Sequence, residues 1–219
     1  MFLSRVEINR YRKETIRALE SPQIMHAAIA ASFPSAEMAV SGRILWRIDS
    51  IGKATYILVQ SGIRPDFTHI VEQFGLPASN QAWDTIDISD FLESIENDQM
   101  WRFRLRANPV HSVKIPDNNN SRGKIFAHLT VKQQEDWLIS RVQKNGFNIV
   151  KSAEEYCVSI KEIEPMKFKR DGDKVTINAV TFEGTLVVEE RDLFINSIKN
   201  GIGRAKAYGC GLLTIAKVQ

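Results

Sequence analysis

Apolar and polar residues alternate from the start of the chain, so Phe2–Arg10 reads as a half-buried strand. A helix is predicted from Pro22, at its first position, to about Ser32, with Ser21 as N-cap. Strands follow over Arg43–Asp49 and Thr55–Gln60, and Gly52-Lys53 marks the turn between them. A short helix fits Phe67–Phe74, and Thr85–Ile88 closes the unit as a strand. The element order is βαββαβ.

The order is then written a second time. In Met100–Ala107, Trp101, Phe103 and Leu105 point one way and Arg102, Arg104 and Arg106 the other, which is strict period two. Asp117–Gly123 (DNNNSRG) reads as a flexible loop. Thr130 and Gln133 form a capping box for a helix running to about Asn145, where Gly146 stops it. Strands fit Phe147–Val150, extending through Tyr156–Ile163, and Val175–Val188. The chain must reverse near Asp171-Gly172-Asp173, giving a basic hairpin. A helix over Arg191–Asn200 and a strand over Leu212–Lys217 finish the unit.

The pattern predicts an α+β protein of two tandem ferredoxin-like (RRM-like, βαββαβ) domains, over residues 1–90 and 99–219, with the linker within Ser89–Gln99. The halves share element order without a clear residue repeat. The fold serves metabolite sensing, metal handling and RNA binding alike, so it does not give function.

Composition narrows the class. With 219 residues, 43% hydrophobic and 25% charged, the chain is ordinary for a globular protein. No run approaches a membrane span, and the opening strand argues against a cleaved leader. Cys157 and Cys210 lie far apart without a CxxC pair and are expected as reduced core residues of a cytoplasmic protein. The net charge of +3 proves no nucleic-acid partner. Its distribution says more, because basic residues gather in Arg102–Arg106, Lys167–Lys174 and Lys199–Lys206 while acids dominate Asp84–Asp98.

The most distinctive stretch is Gly201–Gly211 (GIGRAKAYGCG), with four glycines in eleven residues between a helix and the last strand. Exposed N–H groups there, beside Arg204 and Lys206, suit a phosphate backbone, with Gly201, Gly203, Gly209 and Gly211 allowing close approach. The stretch lacks the Lys-Ser/Thr ending of a Walker A loop and does not follow a strand in a βαβ unit. A tight connection that needs glycine for packing is the alternative.

This segment resembles the C-terminal signature of the CRISPR-associated repeat-processing proteins of type I-E systems, the CasE family. Three other segments resemble the family as well: Phe103–Pro109 (FRLRANP), Val180–Gly184 (VTFEG), and the opening strand followed by a helix carrying Met25-His26. The resemblance spans essentially the whole chain. It implies tandem ferredoxin-like domains, cleavage at the base of a CRISPR repeat RNA hairpin, retention of the mature crRNA, and assembly with other Cascade subunits. It implies no membrane and no cofactor.

RNA can be cut without metal because its 2′-OH is an internal nucleophile; the enzyme must align it, move protons and stabilise the transition state. Among His26, His69, His111 and His128, the resemblance singles out His26, as acid to the leaving oxygen or base to the 2′-OH. Close family members carry tyrosine three residues earlier, where this chain has Gln23, which hydrogen-bonds but transfers no proton. Tyr11 and Tyr208 are candidates to fill that role, and Lys206 could assist the transition state. No HExxH, cysteine cluster or carboxylate constellation has metal-ligand spacing, so cleavage in EDTA is expected.

For RNA holding, the hairpin cations Lys167, Lys169, Arg170 and Lys174 resemble the family's basic β-hairpin. Its alternative is a lysine-protected sheet edge. The row Arg102, Arg104 and Arg106 needs an anion or an acidic strand opposite it. Two other functions compete: an RNA-binding subunit that does not cut, for which Gln23 is the warning, and a small-molecule regulatory protein, which leaves the arginine row and the glycine-rich stretch unexplained.

Overall fold

The computed structural model describes residues 1–34, 42–76, 83–113, 123–170 and 172–218. The N-terminal sheet joins β1 (Phe2–Ile8), β2 (Leu45–Ile51), β3 (Ala54–Ser61) and β4 (Trp83–Asp87) in the order β2-β3-β1-β4, all antiparallel. It is covered by α1 (Lys13–Glu20), α2 (Pro22–Ala30) and α3 (Thr68–Phe74). Val6, Ile8, Ile57 and Val59 alternate inward from the strands and pack on Met25 and Ile29 of α2 and Ile70 and Phe74 of α3. A short helix, α4 (Ser89–Glu93), leads out of this unit.

The second sheet repeats the order on a larger scale. Its elements are β5 (Met100–Ala107), β6 (Val110–Val113), β7 (Lys124–Ala127), α5 (Val131–Ile139), β8 (Phe147–Ile149), β9 (Lys151–Ser152), β10 (Glu155–Tyr156), β11 (Val158–Arg170), β12 (Asp173–Val188), α6 (Arg191–Asn200) and β13 (Leu213–Lys217). The path is β11-β12-β5-β13, with β8 pairing the far end of β12. The second strand of this βαββαβ unit is thus split between β8 and β11, and the small β9–β10 hairpin fills the break. Tandem ferredoxin-like architecture follows from the two matching strand orders.

The period-two reading of β5 holds, since Trp101, Phe103 and Leu105 are buried in the C-terminal core. Thr130 caps α5, accepting from the Gln133 N–H, while the Gln133 side chain reaches back. That helix ends sooner than expected, at Ile139, and a 3-10 turn over Gln143–Asn145 carries the chain to Gly146. Among the elements not foreseen are α1, the β6–β7 hairpin, and the helix α4, which lies where the linker was expected. α1 buries only Thr15 and Ala18, too few positions for an apolar stripe. The β6–β7 hairpin is short, with His111, Ser112, Ile125 and Phe126 exposed, so it carries no in–out alternation. His128 lies just past the end of β7. Ser21 holds the N-cap position of α2 but makes no side-chain capping bond. Positions 117–122 of the expected loop, and Asp171 at the hairpin turn, lie outside the described residues.

Both cysteines are free, with Cys157 half-buried and Cys210 fully buried, where burial pushes the thiol up to about 11. Among the described residues no helix is long and apolar enough to cross a membrane.

The two sheets are locked together by polar groups. Arg47 on β2 is only 2% exposed. Its Nε and Nη2 donate to the Asp49 carboxylate at 2.7 and 2.8 Å, and its Nη1 donates to the Arg104 and Leu212 carbonyls at 3.2 Å each. Nη2 also reaches Thr214 Oγ1 at 3.0 Å. Gln60 on β3 donates to the Ile198 carbonyl at 2.7 Å. A buried guanidinium demands such complete pairing, and here the partners come from both sheets.

Candidate active site

His26 sits in the middle of α2, half-buried, one turn after Gln23. Met25 and Ile29, which flank His26 on the helix surface, are buried in the core and hold α2 in place, and the imidazole stands at the edge of that buried face. Its Nδ1 is buried and has no hydrogen-bond partner among the described residues. Burial, and then the positive charge of Arg170, hold its pKa below the ordinary 6.5. The ring lines a cleft of about 240 Å³ together with Arg43, Ile44, Lys206 and Ala207. The cleft crosses the junction of the two domains.

Lys206 comes from the glycine-rich stretch. It opens a 3-10 turn, Lys206–Tyr208, that packs against α2 and β2. Its Nζ donates to the Asn200 carbonyl at 2.7 Å, so the last turn of α6 steadies it. Burial first, then Arg43, lowers its pKa from 10.5. Of the residues expected to act together, the structure therefore brings His26 and Lys206 into one cleft. Gln23 is half-buried and does not line it. Arg43, missed in the sequence as no more than the start of a strand, lines the same cleft and acts on Lys206.

The glycines of this stretch serve packing. A Cβ on Gly209, at φ +75°, would lie 2.8 Å from the Trp46 ring, and one on Gly201, at φ +72°, would lie 2.8 Å from both Leu45 and the Gly211 carbonyl. Several N–H groups are already committed: Gly201 to Ser197, Ile202 to Gly211, and Gly211 to Arg106. Gly203 and Arg204 stay exposed. The packing alternative thus accounts for Gly201, Gly209 and Gly211.

The arginine row splits in the same way. Arg104 pairs with Glu183 on β12 and with Asp49 of the other domain. Arg106 is buried, pairs with Glu164, and donates to the Gly209 carbonyl at 3.1 Å. Acidic neighbours therefore answer these two charges, and Arg106 ties the glycine-rich stretch to β11. Arg102 is exposed at the other end of the strand.

The β11–β12 hairpin has two faces. Met166 and Phe168 turn inward onto Tyr208 and Cys210. Arg170, in the same alternation, donates to the Tyr208 hydroxyl at 3.3 Å and adds its charge to the surroundings of His26. On the other face Lys167, Lys169 and Lys174 are exposed, with Lys169 directly opposite Lys174 across the strands. Like charges so placed repel unless an anion lies over them. Tyr11, by contrast, is 84% exposed, whereas Tyr208 is buried beside the helix of His26. Among the described residues no group of three or more His, Cys, Asp or Glu gathers as a metal site.

Fold and site together define a class: a pair of ferredoxin-like domains with a histidine of the first facing a lysine of the second, beside a hairpin with one lysine-rich face. The chain belongs to the CRISPR associated protein family, whose model matches residues 1–217. It is 26% identical, over 99% of its length and all of the relative's, to the CRISPR-associated endoribonuclease Cse3 of Thermus thermophilus. It is 33% identical over 52% of its length, and 56% of the relative's, to the CRISPR system Cascade subunit CasE of Escherichia coli. A solved structure of CRISPR endoribonuclease Cse3 bound to 19 nt RNA superposes with a TM-score of 0.84 at 26% identity, covering 99% of this chain and 100% of that one. The CasE-family resemblance read from the sequence agrees with these matches.

Proposed function

We propose that this protein is a metal-independent endoribonuclease that cuts CRISPR precursor RNA at the base of the repeat hairpin and keeps the hairpin as a cytoplasmic Cascade subunit. The observation that carries the reading is the single cleft, across the domain junction, that holds His26 and Lys206. Its support from outside the chain is the full-length likeness to a protein named as an endoribonuclease. Residues 1–90 supply the histidine and residues 99–219 the lysine and the basic hairpin.

In this reading the 2′-oxygen gives up its proton and attacks phosphorus, and the bond to the 5′ oxygen breaks. The leaving oxygen gains a proton, so the products are a 2′,3′-cyclic phosphate and a 5′-hydroxyl. A lowered pKa keeps His26 neutral near pH 7, which suits it to take the 2′-OH proton. Lys206 and Arg43 answer the charge that grows on the phosphoryl oxygens. Tyr208 packs next to α2 from the other domain but, like Gln23, does not line the cleft, so no tyrosine among the described residues takes part in this reading. Lys167, Lys169 and Lys174 hold the stem phosphates.

His26→Ala should lower the single-turnover cleavage rate by at least about 100-fold while leaving the hairpin Kd within about twofold of wild type. Cleavage near the wild-type rate by that variant would remove His26 from the chemistry. Gln23 favours a second reading, a subunit that binds repeat RNA without cutting it, and wild-type protein that binds the hairpin but never cleaves would establish it.

A further inference from the structure

The cleft at His26 continues into surface that the chemistry above does not use. Arg43 and Lys206 line both that cleft and a second hollow of about 650 Å³, which Arg204, Ser112 and Ile125 complete. Those last three also line a third hollow, of about 570 Å³, between the β6–β7 hairpin and α5. Through these shared residues the three hollows follow one another along the surface as a track. Arg43, Lys206, Arg204 and Arg141 mark its course, and Asp136 is the sole carboxylate among the described residues that line it. Asp136 is already paired with Lys132 at 3.1 Å. None of Lys167, Lys169 and Lys174 lines the track, so it is separate from the lysine face of the β11–β12 hairpin.

The far end of the track is built of rings. His111 and His128 lie 4.7 Å apart between centroids, and His111 stacks on Phe126 at 6.0 Å with a 27° tilt. The Arg141 guanidinium lies 4.2 Å over the Trp137 ring. His128 Nδ1 is buried with no hydrogen-bond partner among the described residues. Burial, then His111 and Arg141, lower the His128 pKa, so its ring is uncharged near pH 7. Flat rings beside guanidinium groups suit an unpaired nucleotide, the rings taking the base and the arginines the phosphate. A hollow of this volume admits a nucleotide and not a duplex.

We propose that the track binds the single-stranded flank of the repeat RNA on the side of the cut away from the hairpin, with one base in the His111–His128 hollow. The inference rests on the cleavage reading, because that reading puts the scissile phosphate at the track's near end. It assigns the flank a binding site of its own, distinct from that of the stem.

The test uses full-length protein and a repeat hairpin made uncleavable by a 2′-deoxy substitution at the cut, with and without a single-stranded extension beyond it. Wild type should bind the extended RNA about tenfold more tightly than the bare hairpin. The double variant His111→Ala/Arg141→Gln should bind the bare hairpin as wild type does and lose the gain from the extension. His111 is exposed, so His111→Ala alone leaves the core intact and should lose part of the gain. No gain in wild type, or an equal gain in both variants, overturns the track. Failure of wild type to bind even the bare hairpin overturns the functional reading and the track with it.

Discussion

The imidazole of His26 is set by its surroundings before any RNA is present. It is half-buried on a helix that Met25 and Ile29 lock into the core beside it, and Arg170 reaches toward it from the tip of the second domain's hairpin. Both burial and that charge disfavour the imidazolium. With His26 as base, cleavage rises with pH through its pKa and levels off above it. Arg170→Gln removes one of the two causes, so the pKa climbs back toward the ordinary value. The midpoint of the acid limb should therefore move to higher pH, read from single-turnover rates across pH 4.5–8 at saturating protein; a midpoint unchanged or lower would contradict the coupling. The arginine row teaches the converse at the same scale. Arg104 and Arg106 read in sequence as cations that need either an anion or an acidic strand opposite them, and Glu183, Asp49 and Glu164 approach them from other strands and another domain. Nothing in the local pattern of β5 announces those acids.

At the scale of elements, what was legible followed one rule. Segments whose in–out alternation or capping chemistry is local declared themselves: β5 by strict period two, α5 by its capping box, and the β2–β3 turn by Gly52. Segments stabilised by contact with distant chain did not. α1 buries two residues, and the β6–β7 hairpin keeps most of its side chains in solvent. The glycine-rich stretch lies between these cases. Its importance was plain, but two of its glycines, Gly201 and Gly209, are required by Leu45 and Trp46, residues of the other domain. Arg47, the neighbour of both, was read only as part of a strand, and it is the chief polar link across the same junction. Arg47→Ala would leave Asp49 half-paired in a buried setting and break two bonds to carbonyls of the second domain. The expected loss is about 3 kcal/mol of unfolding free energy, measured by urea denaturation. A loss below about 1 kcal/mol would mean that the junction is held by packing instead.

At the scale of the whole molecule, the candidate site belongs to neither domain alone. The first contributes the histidine, the second the lysine and the basic hairpin, and the buried Arg47 cluster keeps the two in register. A ferredoxin-like fold is common to many functions; in the proposed reading this arrangement of two of them supplies a cleft for chemistry, a lysine face for a stem and a ring-lined track leading away. The central claim is that the protein cuts repeat RNA with its own side chains and then holds the hairpin. The most direct measurement incubates end-labelled repeat RNA with excess protein in EDTA, identifies the new ends, and follows which fragment stays bound. The account predicts one cut at the base of the hairpin, a 2′,3′-cyclic phosphate on the hairpin fragment, a 5′-hydroxyl on the other, and co-elution of the hairpin with the protein. Cleavage that stops in EDTA and returns with added divalent metal, or a hairpin released on cutting, would contradict it.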